Sequence, residues 1–342
     1  MTAQTPQEKI RAIDALRNGL RQVNRAPALL GWVFLITLMT ALPLSMLMGE
    51  SIRAHLGNSM VAEQVARGVN VQWWTEFTAE AGSLAATFRP TIIGFAAVLD
   101  NLSAFADGEG RPSPILWVGA CYLLLWLFIS GGILDRYARL RTVRSHEFFT
   151  ACGIYFVRFL RLAPIMALAY YSLFAVVHPL LMEQVYGELT KDVTVERTAF
   201  LTRFALYTVF AACVVAVNIV FDYAKVRAVV EDRRSMLGAI VAGARFARRN
   251  AGAVLTLYLL TGAMFVVLLV VYAMLAPGAG STGARAWLGI AAGQLYLFGR
   301  LWIRLLFLAS ETALFQGRLA HAGYVASPPA VRREPPMIEA AL

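Results

Sequence analysis

Three ionisable residues near the C-terminus are set in unusually apolar surroundings. Arg300, Arg304 and Glu311 interrupt a run that begins at Ala286. At 100° per residue they fall within about 40° of one another, so a single helix face carries all three. A charged side chain at membrane depth costs from about 2.5 kcal/mol upward and is tolerated where it faces a bundle interior or water. The set reads in one of two ways. It is a polar track or anionic-headgroup contact in which Glu311 balances the arginines, or it is one face of a helix extension just beyond the membrane. A second series, Arg158, Arg161, Arg245 and Arg248, edges two otherwise apolar helical stretches and suits contact with anionic lipid.

Other chemistry is thinly represented. His55, His146, His178 and His321 are scattered and form no His-Glu-x-x-His pair. His178, beside Pro179, reads as a hydrogen-bonded packing residue. Cys121, Cys152 and Cys213 are far apart and lack the spacing of a zinc or redox pair. There is no Gly-x-Ser-x-Gly elbow, no glycine-rich phosphate loop, and no pair of acids within one span. The sequence therefore points away from an enzyme, and no catalytic residue, metal or cofactor is expected.

The elements that must position these residues follow from composition. Of 342 residues, 58% are hydrophobic and 15% charged, and mean hydropathy is +0.61. Soluble domains carry about 25% charged residues, so a membrane protein is expected. Apolar runs long enough to span occur at 27–48, 114–134, 162–182, 200–221, 251–275 and, with the two arginines inside it, 286–316. The segments 1–26, 135–161, 222–250 and 316–342 hold 21 Lys and Arg against 9 acids; the intervening segments hold 7 against 11. By the positive-inside rule both termini are cytoplasmic, in a bacterial inner membrane. This topology accounts for the formal charge of +10, and nucleic-acid binding is not expected.

Self-similarity adds an organisation. Asp135-Arg136-Tyr137-Ala138-Arg139-Leu140-Arg141 follows the second span, and Asp222-Tyr223-Ala224-Lys225-Val226-Arg227 follows the fourth. Downstream lie Arg158-Phe159-Leu160-Arg161 and Arg245-Phe246-Ala247-Arg248. Arg21 to Arg25 before Ala26-Pro27 echoes Arg161-Leu162-Ala163-Pro164. The spans then form three repeats of a basic amphipathic helix plus a transmembrane hairpin, the helices lying in 1–26, 135–161 and 222–250. Their apolar arcs are Ile13, Leu16, Leu20 and Val23; Phe148, Phe149, Cys152, Tyr155, Phe156 and Phe159; and Met236, Ile240, Ala244 and Ala247. Pro27, Pro164 and Gly252 are the expected turning points into the hairpins. Residues 49–113 form an extracytoplasmic helical cap, in which Trp73 and Trp74 are candidate interface residues and 88–102 an interfacial or re-entrant helix. The cap either covers the bundle or docks a membrane-protein partner. Residues 325–342 read as a disordered tail.

The repeated Asp-(x)-Tyr-Ala-Arg/Lys-Leu/Val-Arg motif, with its Arg-edged helix leading to a hairpin, resembles bacterial multi-pass proteins similar to the membrane domain of glycerophosphodiester phosphodiesterases. The resemblance covers about 120–316. It implies a membrane module without that family's activity, because the catalytic domain has no counterpart here. The resulting expectation is an all-α integral membrane protein, non-catalytic, that organises lipid or a membrane protein complex. Its alternative is a transporter or channel for a small or lipid-like anionic substrate.

Overall fold

The computed structural model describes residues 10–57, 59–68, 70–82, 84–88, 94–110, 113–140, 144–276 and 283–318. The disordered tail expected at 325–342 lies outside them, as do residues 89–93 of the expected interfacial helix. Among the described residues there is no strand. The described residues form twelve α-helices in order: α1 (Ala12–Asn24), α2 (Pro27–Leu56), α3 (Ala62–Arg67), α4 (Val71–Glu80), α5 (Phe95–Asp107), α6 (Ser113–Arg139), α7 (Ser145–Ser172), α8 (Tyr186–Thr190), α9 (Glu196–Val230), α10 (Met236–Arg249), α11 (Ala251–Leu275) and α12 (Ala284–Arg318). Among the described residues six helical stretches are long and apolar enough to cross a membrane: α2, α6, the Ser145–Thr190 stretch, α9, α11 and α12. The chain is an all-α, multi-pass membrane protein.

Several elements outrun the hydrocarbon layer. The 30 residues of α2 span about 45 Å, against about 30 Å of hydrocarbon. Its last turns rise out of the apolar run, and Met48, Ile52 and Leu56 pack against the cap cluster of Trp73, Phe77 and Ala85. The third span is longer still, because α7 runs unbroken through Pro164. Pro27 does begin a new helix at its first position, and α10 gives way to α11 at Asn250. Two π-turns, Leu173–Val177 and Leu180–Val185, flank Pro179 before α8. A proline cannot donate its i−4 hydrogen bond, and widening the helix accommodates the gap.

Burial is concentrated at the basic end of the bundle. The main core joins Ile129 to Ala138 of α6, Ile219 to Val230 of α9 and Leu301 to Phe315 of α12 with parts of α1, α7 and α10. Three close helix pairs build it: α1 on α12, α7 on α6 and α10 on α9. Within the most apolar window of each span, 6% is buried for the third and 28% for the fourth. Lipid tails are as apolar as leucine, so the exposed remainder loses nothing by facing them.

The apolar arcs divide in a way their hydropathy does not foretell. In α1 the buried stripe is Ala12, Ala15, Gly19 and Val23, while Ile13 and Leu20 are exposed. In α10 it is Met236, Ala239 and Gly243, while Leu237 and Val241 are exposed. Small residues admit a close neighbouring backbone, and the bulky ones are left for lipid. At Gly243 an added Cβ would sit 2.9 Å from the Ala224 nitrogen and 3.1 Å from the Val220 carbonyl oxygen. At Gly19 it would collide with Ser310 Oγ.

Candidate functional site

Two groups of polar residues lie at the basic end, one open and one closed. The open one is a shallow groove of about 220 Å³ lined by Ile154, Val157, Arg158 and Arg161 of α7 and by Arg234, before α10. Positions 154, 157, 158 and 161 share one helix face by their spacing. The turn after α9 brings Arg234 to them. In that turn Asp232 takes a positive φ of 49°, and the Arg233 N–H donates to the Ala228 carbonyl at 3.1 Å.

The charges around the groove are unequally compensated. Arg158 Nη1 donates to Asp232 Oδ1 at 2.6 Å and to the Arg233 carbonyl at 3.3 Å, with its guanidinium 5.1 Å from the Tyr155 ring centroid. Glu231 accepts from Arg227 at 2.9 Å and from Arg233 at 3.0 Å. Both acids of the turn are thereby engaged. Arg161 and Arg234 are exposed and make no ion pair with the described residues. Ile154 and Val157 beside them are also exposed. Arg245 and Arg248 are exposed farther along α10 and do not line the groove.

The closed group lies inside the bundle. The Tyr258 hydroxyl of α11 donates to Asp222 Oδ2 at 2.8 Å, and Lys225 Nζ lies 2.6 Å from Asp222 Oδ1. Glu311 of α12 adjoins Asp222, Lys225 and Tyr258. It is 0% exposed, and neither carboxyl oxygen meets a hydrogen-bond partner among the described residues. The Tyr258 hydroxyl beside it is committed to Asp222.

The structure thus separates the three residues that share a face of α12. Arg300 is exposed. Arg304 turns toward α6, its guanidinium 3.5 Å from the Trp126 ring centroid. Glu311 enters the core between α9 and α11. The C-terminal half of α12 is no peripheral extension, since Leu308 to Phe315 are all buried. Its end is tied down as well: Gln316 Nε2 donates to the Ala138 carbonyl at 2.8 Å, and Arg318 donates to the Ile10 carbonyl and to Asn250 Oδ1, each at 3.0 Å.

At the opposite end the polar residues fasten elements together. His178 Nε2 lies 2.9 Å from the Ala106 carbonyl oxygen, and the Tyr207 hydroxyl donates to Asp107. That bond holds the Asp107 carboxyl below the usual aspartate range, against the opposing effect of partial burial. Arg203 lies over the rings of Tyr186 and Tyr207, 5.7 Å from each centroid. Trp73 is buried at the centre of the cap and stacks on Phe77 at 5.1 Å, while Trp74 packs on Phe88 at 4.5 Å. Both rings serve cap packing.

The three cysteines are free, and no group of three metal-ligating side chains occurs among the described residues. Two associations were not legible in advance. The pairing of Arg234 with Arg158 and Arg161 depends on the α9–α10 turn, and the meeting of Asp222, Tyr258 and Glu311 joins three helices. Asp222 had one signal, its place in the repeated motif. No protein-family model, curated protein or solved structure matches the chain.

Proposed function

We propose that this is a non-catalytic bacterial inner-membrane protein that organises anionic lipid at its cytoplasmic, basic end. The observation that carries the reading is the groove. Arg161 and Arg234 bring two uncompensated guanidiniums to its mouth, beside the exposed apolar side chains of Ile154 and Val157. A phosphate-bearing headgroup matches the first pair, since a guanidinium donates bidentately to phosphate oxygens. An acyl chain matches the second.

The excess of Lys and Arg at this end supports the cytoplasmic orientation. The three helix pairs, α12 with α1, α6 with α7 and α9 with α10, support a threefold repeat in which each amphipathic helix seals the basic end of a span. Exposed Ile13, Leu20, Leu237 and Val241 suit helices sunk into the headgroup layer.

The test is binding of phosphatidylglycerol and phosphatidylcholine by the delipidated full chain in mixed micelles. The wild type is expected to prefer phosphatidylglycerol. At about 1 kcal/mol for each arginine, Arg161→Ala with Arg234→Ala should weaken phosphatidylglycerol binding by about 30-fold. Arg245→Ala with Arg248→Ala should leave it near the wild-type value. Equal binding of both lipids, or equal losses in the two double variants, would sink the reading.

A further inference from the structure

Three spans carry a buried or half-buried acid at their basic ends, and they differ in how it is neutralised. Asp135 in α6 has Arg139 one turn on, with Nε at 2.8 Å from Oδ1. Asp222 in α9 has Lys225 three residues on. Glu311 in α12 is followed at those spacings by Leu314 and Phe315, and no ion pair to it occurs among the described residues. It is the most deeply buried of the three and the one without its own cation.

Of the elements packed on α12, α1 buries only the neutral Ala12, Ala15, Gly19 and Val23, and Asp135 of α6 is paired with Arg139. From α9 come Asp222, Tyr223 and Lys225; from α11 comes Tyr258; α12 itself adds Arg304 and Arg318. Arg304 is stacked on Trp126, and Arg318 is bonded to Ile10 and Asn250. Lys225 is held by Asp222. Asp222 and Lys225 cancel, and Arg304 and Arg318 are directed to neutral groups elsewhere, so an ionised Glu311 would have no ion-pair partner among the described residues. Removing a carboxylate from water without a partner is prohibitively costly, and such a group takes up a proton instead. The Tyr223 hydroxyl, buried and also without a hydrogen-bond partner among the described residues, is a second polar group that this interior leaves unsatisfied.

We propose that Glu311 is a proton-binding site, occupied by one exchangeable proton beside the Asp222–Lys225 pair. Uptake forms one O–H bond on the Glu311 carboxyl from hydronium and releases water, leaving the cluster of Asp222, Lys225 and Glu311 with no net charge. The site is distinct from the lipid groove and stands whether or not that groove binds lipid.

The test is difference infrared spectroscopy of the full chain reconstituted at neutral pH. The wild type should show the C=O stretch of a protonated carboxylic acid, shifting to lower frequency in D2O. The band should vanish in Glu311→Gln, an uncharged isostere expected to fold with an unchanged thermal midpoint, and persist when Asp222→Asn and Lys225→Gln are combined, which removes the neighbouring ion pair without freeing a cation for Glu311. Absence of the band in the wild type overturns the proposal, as does its survival in Glu311→Gln. Loss of the band in that double variant with retention in Glu311→Gln would place the proton on Asp222 and also overturn it. Should Glu311→Gln fail to fold, Glu311→Asp keeps the carboxyl and should shift the band, and an unshifted band overturns the proposal.

Discussion

The basic end and the membrane-facing halves of the spans are built on different principles. At the basic end, Tyr137, Phe159, Tyr223, Leu305, Leu306 and Phe315 are all but fully buried, and helix pairs meet closely enough for glycine to be required. Toward the middle of the membrane, Leu259, Val266 and Val267 face outward, and the helices touch one another less. The difference follows from the solvent. Where helices leave the hydrocarbon, burial of apolar surface from water again rewards packing. Within hydrocarbon that reward is absent, and only close fit and polar contacts hold helices together. One such contact is the hydrogen bond from the Tyr170 hydroxyl to Asn218.

This contrast can be broken by substitution. Phe159→Ala removes a fully buried ring at the basic end and should cost about 3–5 kcal/mol. Leu259→Ala, on the lipid face of α11, should stay within about 0.5 kcal/mol. Denaturant unfolding in micelles compares the two, and equal costs would mean that the packed end does not dominate stability. Gly243→Ala should cost about 1–3 kcal/mol, because the opposing atoms of Ala224 and Val220 are backbone and cannot swing aside. Gly262→Ala, with open space around it, should be neutral or slightly stabilising.

Smaller effects sharpen the comparison within the groove itself. Arg158→Ala breaks a pair whose acid, Asp232, is largely exposed, so the loss in stability should be at most about 1 kcal/mol. Arg161→Ala has no pair to break and should leave the unfolding midpoint unchanged while weakening phosphatidylglycerol binding. A matching fall in stability would recast Arg161 as a structural residue. The smallest effect expected is at the opposite end. The folded-state pKa of Asp107 lies below its unfolded value, so its contribution is fully present above the ordinary aspartate range and is lost as pH falls through the lower, folded value. Tyr207→Phe removes the hydroxyl responsible and should flatten this part of the pH–stability curve, read by thermal unfolding across the acid range.

Much of the architecture was legible in order and type. Long apolar runs give spans regardless of their neighbours, because an unsatisfied backbone in lipid leaves helices as the available solution. The hydrogen-bonded role expected of His178 also followed from its position. The fate of Pro164 did not. Whether a proline ends a helix or is carried within it depends on what packs alongside, and here α6 and α9 flank the segment. The division of α1 and α10 into a small-residue face and a bulky face was similarly hidden, since hydropathy ranks Leu237 above Gly243 whereas helix packing selects the reverse.

What the sequence by itself determined is the membrane-crossing helical class and the asymmetry of charge between the two sets of loops. Both are properties of local composition and need no knowledge of neighbours. Only the tertiary structure decided which charges are answered. Arg300, Arg304 and Glu311 share a face by periodicity, yet one is exposed, one stacks on Trp126 and one is sealed beside Asp222 and Tyr258. The sorting has a physical cause. A helix turns each residue to a fixed angle, but the height along its axis at which a neighbouring helix crosses sets whether that angle meets lipid, a ring or another carboxyl.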